Sequence, residues 1–144
     1  MTQEHSRGYD LVLSALRIGF GLMLSWYHGR GHITAAWANL LHGQEWKFIG
    51  FLERNGYPLA RFLAVCIAMM EFFGGLLLGV GLLTRYAAAF VTFNTGMALL
   101  YHLRTNTDGE LAWHYFLPAL FFVISPPGSW SVDAWWKRRK TANQ

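Results

Sequence analysis

Of 144 residues only Cys66 is a cysteine, so the chain makes no disulfide within itself and holds no C-x-x-C redox pair. Thiol–disulfide chemistry carried by this chain alone is therefore not expected. Charge is equally scarce: Asp, Glu, Lys and Arg make up 14% of the sequence, where a soluble domain has about a quarter. No H-E-x-x-H or related spacing marks a metal site, and no internal repeat of the kind that builds alternating access is present. What is there is apolar: 53% hydrophobic and 17% aromatic residues, in a length that suits one domain over residues 1–144. The composition is that of a membrane protein. The net charge of +4 does not point to nucleic acid, because four of the twelve cations form the run Lys137, Arg138, Arg139, Lys140 beside Trp135 and Trp136, a membrane-surface anchor.

The stretch from Arg61 to Arg85 sets the plan of the chain. The 23 residues between these arginines can cross a hydrocarbon core as a helix. Apart from Cys66, their one ionisable side chain is Glu71, and a carboxylate at that depth must face protein, pair with a cation or keep its proton. Ala64, Ala68, Gly75 and Gly79 share its helical face, so another backbone can come close. Glu71 is expected to point into a helix bundle.

The apolar run from Leu11 to Tyr27 is expected as a first span rather than a cleaved signal, because Arg17 interrupts it and Trp26, Tyr27 and His28 make a poor cleavage site. Ser14, Arg17, Gly21, Ser25 and His28 follow steps of three and four, so this stripe faces the bundle while the leucines and Phe20 face lipid. Residues 29–57 mix charge with Trp37, Trp46, Phe48 and Phe51, which suits a helical segment lying in the membrane interface. Gly56 and Pro58 mark the entry to the second span. A short turn at Thr84 and Arg85 leads to a third span antiparallel to the second, with Ala87, Val91, Asn94, Ala98 and His102 as its inward residues. The fourth run, from Leu111, contains Pro118 and is stopped by Pro126 and Pro127.

The fold expected is all-α: an integral membrane four-helix bundle with spans at about 11–28, 59–81, 86–103 and 111–127, and an interfacial helical segment between the first two. Four crossings put both termini on one side. The C-terminal basic run makes that side cytoplasmic, in a bacterial-type inner membrane, although Arg30, Lys47, Arg54, Arg61 and Arg104 fall at the opposite boundary.

The pieces LRIGFGLMLSWYHG, GYP before the second span, EFFGGLLLGVGLLTRYAA through it, His102 ending the third span and GSWSVD after the fourth resemble the DoxX family of small four-helix membrane proteins. The resemblance covers about residues 11–134, and E-x-x-G-G-x-L-L-x-x-G-x-x-T-R with a terminal G-x-x-S-x-D is a fairly specific combination. Where such sequences carry a lysine shortly after the first helix's His-Gly, this chain has Arg30 and His32. The resemblance implies an integral membrane subunit linked to oxidoreductase systems, with a soluble or membrane oxidoreductase as partner and a quinone as the ligand. It does not imply that every member is catalytic.

The polar residues form two constellations. Arg17 lies about 9 Å from the first span's cytoplasmic end and Glu71 about 15 Å from Gly81, a difference a long arginine can bridge, so an Arg17–Glu71 ion pair is expected. It is either a proton-linked or quinone-facing site, or a pair that only fixes helix register. His28, His102 and His114 all fall at the outer face of the four-span arrangement, and with Asn94 they make a candidate quinone or ligand site. Imidazoles there can hydrogen-bond a quinone carbonyl, relay protons or hold a metal or haem, the last being the weaker reading; equally, they can be members of an aromatic belt with no ligand. Arg85 and Asp133, both at the cytoplasmic face, can pair or stay solvated. A redox-associated membrane subunit is the leading function. A non-catalytic scaffold or assembly protein is the alternative, with a small-solute or proton transporter third, and the lipid bilayer and a second copy of the chain remain open as partners.

Overall fold

No proline occurs before Pro58, and the apolar runs give the backbone little reason to leave the helix. A computed structural model describes residues 2–142, with side chains from Arg7 onward, and finds helices and no strand among them. Met1, Asn143 and Gln144, the ends of the expected single domain, lie outside the described residues. In chain order the helices are α1 (Thr2–Met23), a π-turn at Leu24–Gly29, α2 (Arg30–His42), α3 (Lys47–Arg54), α4 (Ala60–Met69), a second π-turn at Met70–Gly74, α5 (Gly75–Val80), α6 (Thr84–Thr105), α7 (Glu110–Ile124) and α8 (Val132–Ala142).

The first helix does not stop near His28, which corrects the expected boundary and half of the expected interfacial segment. α1, the π-turn and α2 follow one another with helical backbone at both junctions. The drop in hydropathy at Arg30 and His32 is a solvent signal, whereas helix continuation is a backbone matter. The stop comes at Gly43, whose φ of +63° only glycine adopts freely. Two helices are long and apolar enough to cross a bilayer, Arg7–His42 and Ala60–Val80, and Glu110–Ile124 is apolar but shorter. That last helix runs through Pro118 and ends at Ile124, before the expected 127, because Ser125 precedes a proline and takes extended backbone.

α1 with α2 lies antiparallel to α4 with α5, and small residues bring the backbones together. A Cβ on Gly21 would stand 2.5 Å from the Gly75 carbonyl oxygen, and one on Gly29 would stand 2.5 Å from Phe72 Cα. The two π-turns face each other in this seam. A π-turn inserts one residue and frees a carbonyl from the regular ladder. The Ser25 hydroxyl, in the first turn, donates to the Phe72 carbonyl of the second at 2.8 Å and lies 3.0 Å from the Gly21 carbonyl.

The expected bundle-facing stripe is buried from Ser14 to Ser25, with His28 half-buried. Phe20, Leu13 and Leu24, expected against lipid, are corrections: all three are buried, with the Phe20 ring 6.0 Å from those of Tyr115 and Phe122, because α7 packs on a second face of α1. On α6, Ala87 and Val91 are buried and Asn94 half-buried, but Ala98 is exposed. One apolar core joins α1, α5, α6 and α7 through Leu13, Phe20, Leu24, Leu78, Val91, Tyr115 and Phe122. A second joins α2, α3 and α4 through Ala36, Trp46, Leu52, Ala60, Ala64 and Ala68.

Candidate functional site

The Arg17–Glu71 pair expected from the sequence does not form. Arg17 is fully buried and spends its guanidinium on four backbone carbonyls: Leu78 at 2.5 Å, Gly79 at 2.6 Å, Trp130 at 2.7 Å and Pro127 at 2.9 Å. Leu78 and Gly79 belong to the last turn of α5, whose carbonyls have no further helical partner and carry the negative end of the helix dipole. A planar cation with donors around its rim satisfies them at once. Gly81, at φ +74°, passes close beneath: a Cβ there would stand 2.7 Å from Arg17 Nη1.

Of the two readings open for Arg85 and Asp133, the pairing does not form, and Asp133 is taken up by α6 instead. Asp133 accepts from the Leu83 N–H at 2.9 Å, the Thr84 N–H at 2.8 Å and the Thr84 hydroxyl at 2.7 Å, capping the N-terminal end of α6. Its own N–H donates to the Gly81 carbonyl at 2.9 Å. Burial alone would raise the Asp133 carboxyl, but the Thr84 and Leu83 donors and the nearby Arg17 charge outweigh it and hold the group below its ordinary value. Arg85 stays exposed. Gly81, Thr84, Ser131 and Asp133, which carry much of the resemblance, thus form with Arg17 a latch that ties the interior of α1 to the end of α5, the start of α6 and the segment joining α7 to α8. Ser131 contributes a hydroxyl that donates to the Gly128 carbonyl at 2.7 Å.

Glu71 belongs to a different group. Its Oε1 accepts from Asn94 Nδ2 at 3.2 Å, which joins the second π-turn to α6. Its Oε2 faces His32 Nδ1 at 3.4 Å, across the seam to α2. Both of these atoms are buried and have no hydrogen bond to any other group. The His32 ring lies 4.9 Å from Phe48 and 6.1 Å from Trp46, and the Phe51 ring lies 5.1 Å from Tyr101, so α3 and the residue before it wall the site. His28, in the first π-turn, sits within electrostatic reach of Glu71 and stands 4.7 Å, ring to ring, from Tyr115.

The three-histidine gathering is therefore corrected. His28 stands against the Tyr115 ring, whereas His102 bonds the Thr107 hydroxyl at 2.9 Å and the His114 imidazole N–H donates to the Glu110 carbonyl of its own helix at 2.7 Å. The loop between α6 and α7 thus takes up His102 through Thr107, while His114 stays with the first turn of α7. Among the described residues no group of three or more His, Cys, Asp or Glu is placed to hold a metal ion. A surface groove of about 710 Å³, lined by Leu40, Tyr57, Phe62 and Val65 among others, does not include His32 or Glu71.

The residue that sequence reasoning missed as a ligand is His32. It follows His28 by four positions, so the two share a helical face once the first helix is carried past Arg30. Taken together, an all-helical chain with apolar helices able to cross a bilayer and a carboxyl–imidazole contact between them defines a membrane protein with an internal polar site. A model of the DoxX family matches residues 12–103, from α1 to the last turn of α6, and the chain belongs to that family. It is a membrane protein of DoxX type, placed in a lipid bilayer. No curated protein and no solved structure matches it.

Proposed function

We propose that this DoxX protein is an integral inner-membrane subunit of a redox system, one domain crossing the bilayer four times with both termini cytoplasmic. In this reading its Glu71 site receives the head group of a quinone exchanged with a partner oxidoreductase. The observation that carries the reading is the 3.4 Å approach of Glu71 Oε2 to His32 Nδ1, two half-buried titratable groups whose facing atoms are themselves buried and have no hydrogen-bond partner. Such a pair can donate to a carbonyl and accept from a hydroxyl, the two faces that a quinone head group presents in its two redox states. A bound quinone would supply the electron-carrying chemistry. The chain's own residues hold and move the proton: Asn94 fixes Glu71 Oε1, His32 and Glu71 share the proton, and Phe48 and Trp46 shield the imidazole from water. The orientation rests on the basic run of α8, which lies at the same end as the Arg17 latch.

A second reading, an assembly scaffold, is favoured by the Arg17 latch, which needs no ligand. The two separate in one experiment on protein purified in mild detergent with its native partner. Glu71→Gln and His32→Ala should each lower quinone-dependent electron transfer about a hundredfold, as loss of a proton-transferring group does, with folded yield unchanged. His102→Ala should leave it untouched. If the wild-type assembly holds no quinone and transfers no electrons to one, the site reading fails and the scaffold stands.

A further inference from the structure

The cationic end of the chain takes no part in the Glu71 site. α8 is an 11-residue helix with no buried residue. Asp133, Trp136, Lys137 and Lys140 recur on it at helical spacing, share one face and line a shallow groove of about 290 Å³. The Lys140 ammonium lies 5.9 Å over the Trp136 ring, and the Arg139 guanidinium lies 4.1 Å over that of Trp135. The one carboxylate on this face, Asp133, is turned toward the protein, its oxygens occupied by Leu83 and Thr84. Among the described residues the one contact at ion-pair distance is that of His32 with Glu71, so no protein anion pairs with Lys137 or Lys140. Arg138 is spent on the Ser129 carbonyl at 3.2 Å.

We propose that this groove binds the phosphate of an acidic phospholipid headgroup, with Lys137 and Lys140 on the phosphate oxygens and Trp136 against the glycerol. Two unpaired ammoniums supply the charge complement. The aromatic side chains select a lipid over a free anion: Trp130, Trp135 and Trp136 are 65%, 47% and 54% exposed, just beyond the apolar end of α7, where Ile124 is 76% exposed. An indole prefers headgroup depth, its apolar body toward the acyl chains and its N–H toward water. A soluble phosphate would make no use of three such rings.

The test uses the full chain in detergent micelles, with phosphatidylglycerol or phosphatidylcholine added at equal concentration and retained lipid counted by native mass spectrometry. Phosphatidylglycerol should be retained about thirtyfold over phosphatidylcholine, as two basic residues at a surface imply. Lys137→Gln with Lys140→Gln should bring that ratio close to one, and Lys137→Arg with Lys140→Arg should keep it. Trp136→Ala should lower retention of both lipids. Equal retention by the wild type overturns the proposal, as does a preference that survives the double Gln change. Displacement of the lipid by millimolar inorganic phosphate would make this a free-anion site, and lysine-dependent binding of a single-stranded oligonucleotide in preference to phosphatidylglycerol would make it a nucleic-acid surface. Either result refutes the lipid assignment.

Discussion

Replacing Arg17 with Met tests whether the latch, rather than a carboxylate, is what the buried cation serves. The substitution keeps an unbranched side chain of similar reach and removes four charge-assisted hydrogen bonds to Leu78, Gly79, Pro127 and Trp130. Hydrogen bonds between membrane helices average about 0.6 kcal/mol, which puts the lower bound near ~2.4 kcal/mol. Bonds to charged groups in soluble proteins contribute about 1.5 kcal/mol each at the low end of their range, which gives ~6 kcal/mol on that scale. The carbonyls are left buried without donors, so a loss of about 3–5 kcal/mol is expected, the range typical of removing one partner from a buried charged network. Reversible unfolding in mixed micelles with increasing SDS reads this directly. Arg17→Lys should recover part of the loss, since an ammonium keeps the charge but cannot span the four oxygens in one plane. Combining Arg17→Met with Glu71→Gln gives the sharpest check. The two residues share no partner, so their effects should add within about 0.5 kcal/mol. A loss under about 1 kcal/mol for Arg17→Met, or a double mutant clearly less damaged than the sum, would restore the ion pair and refute the latch.

Asp133, whose carboxyl is held below its ordinary value, contributes stability that is fully present above the unfolded carboxyl value of about 3.9 and is lost as pH falls through the lower folded value. Asp133→Asn should therefore lower stability at neutral pH and flatten this acid loss in pH-dependent unfolding; an unchanged acid limb would exclude Asp133 as its source. For the four-span orientation, reporter fusions after Asn55, Arg85, Asp108 and Gln144 should read outside, inside, outside and inside, and an outside C-terminus would overturn it.

Much of the seam was legible in side-chain spacing. Gly21 and Ser25 of the first stripe meet Gly75 and Gly79 of the small face, because close approach of two helices requires small residues at helical period, while Ala64 and Ala68 of that face pack toward α2 and α3. Arg17's true partners were not legible. A search among side chains finds only carboxylates for a buried cation, whereas the last turn of a helix offers carbonyls that no sequence pattern records. The π-turns were equally hidden, since one inserted residue shifts the helical face by a fraction of a turn, which is enough to carry His28 toward Glu71 but too little to disturb the apolar periodicity. Phe20 was misplaced because a single-face reading of α1 allows one neighbour, and this helix has two.

The separation between latch and site changes what family membership says about this chain. Gly81, Thr84, Ser131 and Asp133, together with Arg17, tie α1 to the end of α5, the start of α6 and the segment after α7, so the motifs that carry much of the resemblance serve this closure. The Glu71 site takes one residue from those motifs and completes it with His32, at the place where the family pattern departs toward a lysine. A lysine there would set an ammonium, which only donates, against Glu71, whereas a neutral imidazole can both donate and accept a hydrogen bond. The latch thus draws on residues of the motifs, whereas His32 stands against Glu71 near the place where the resemblance leads one to expect a lysine.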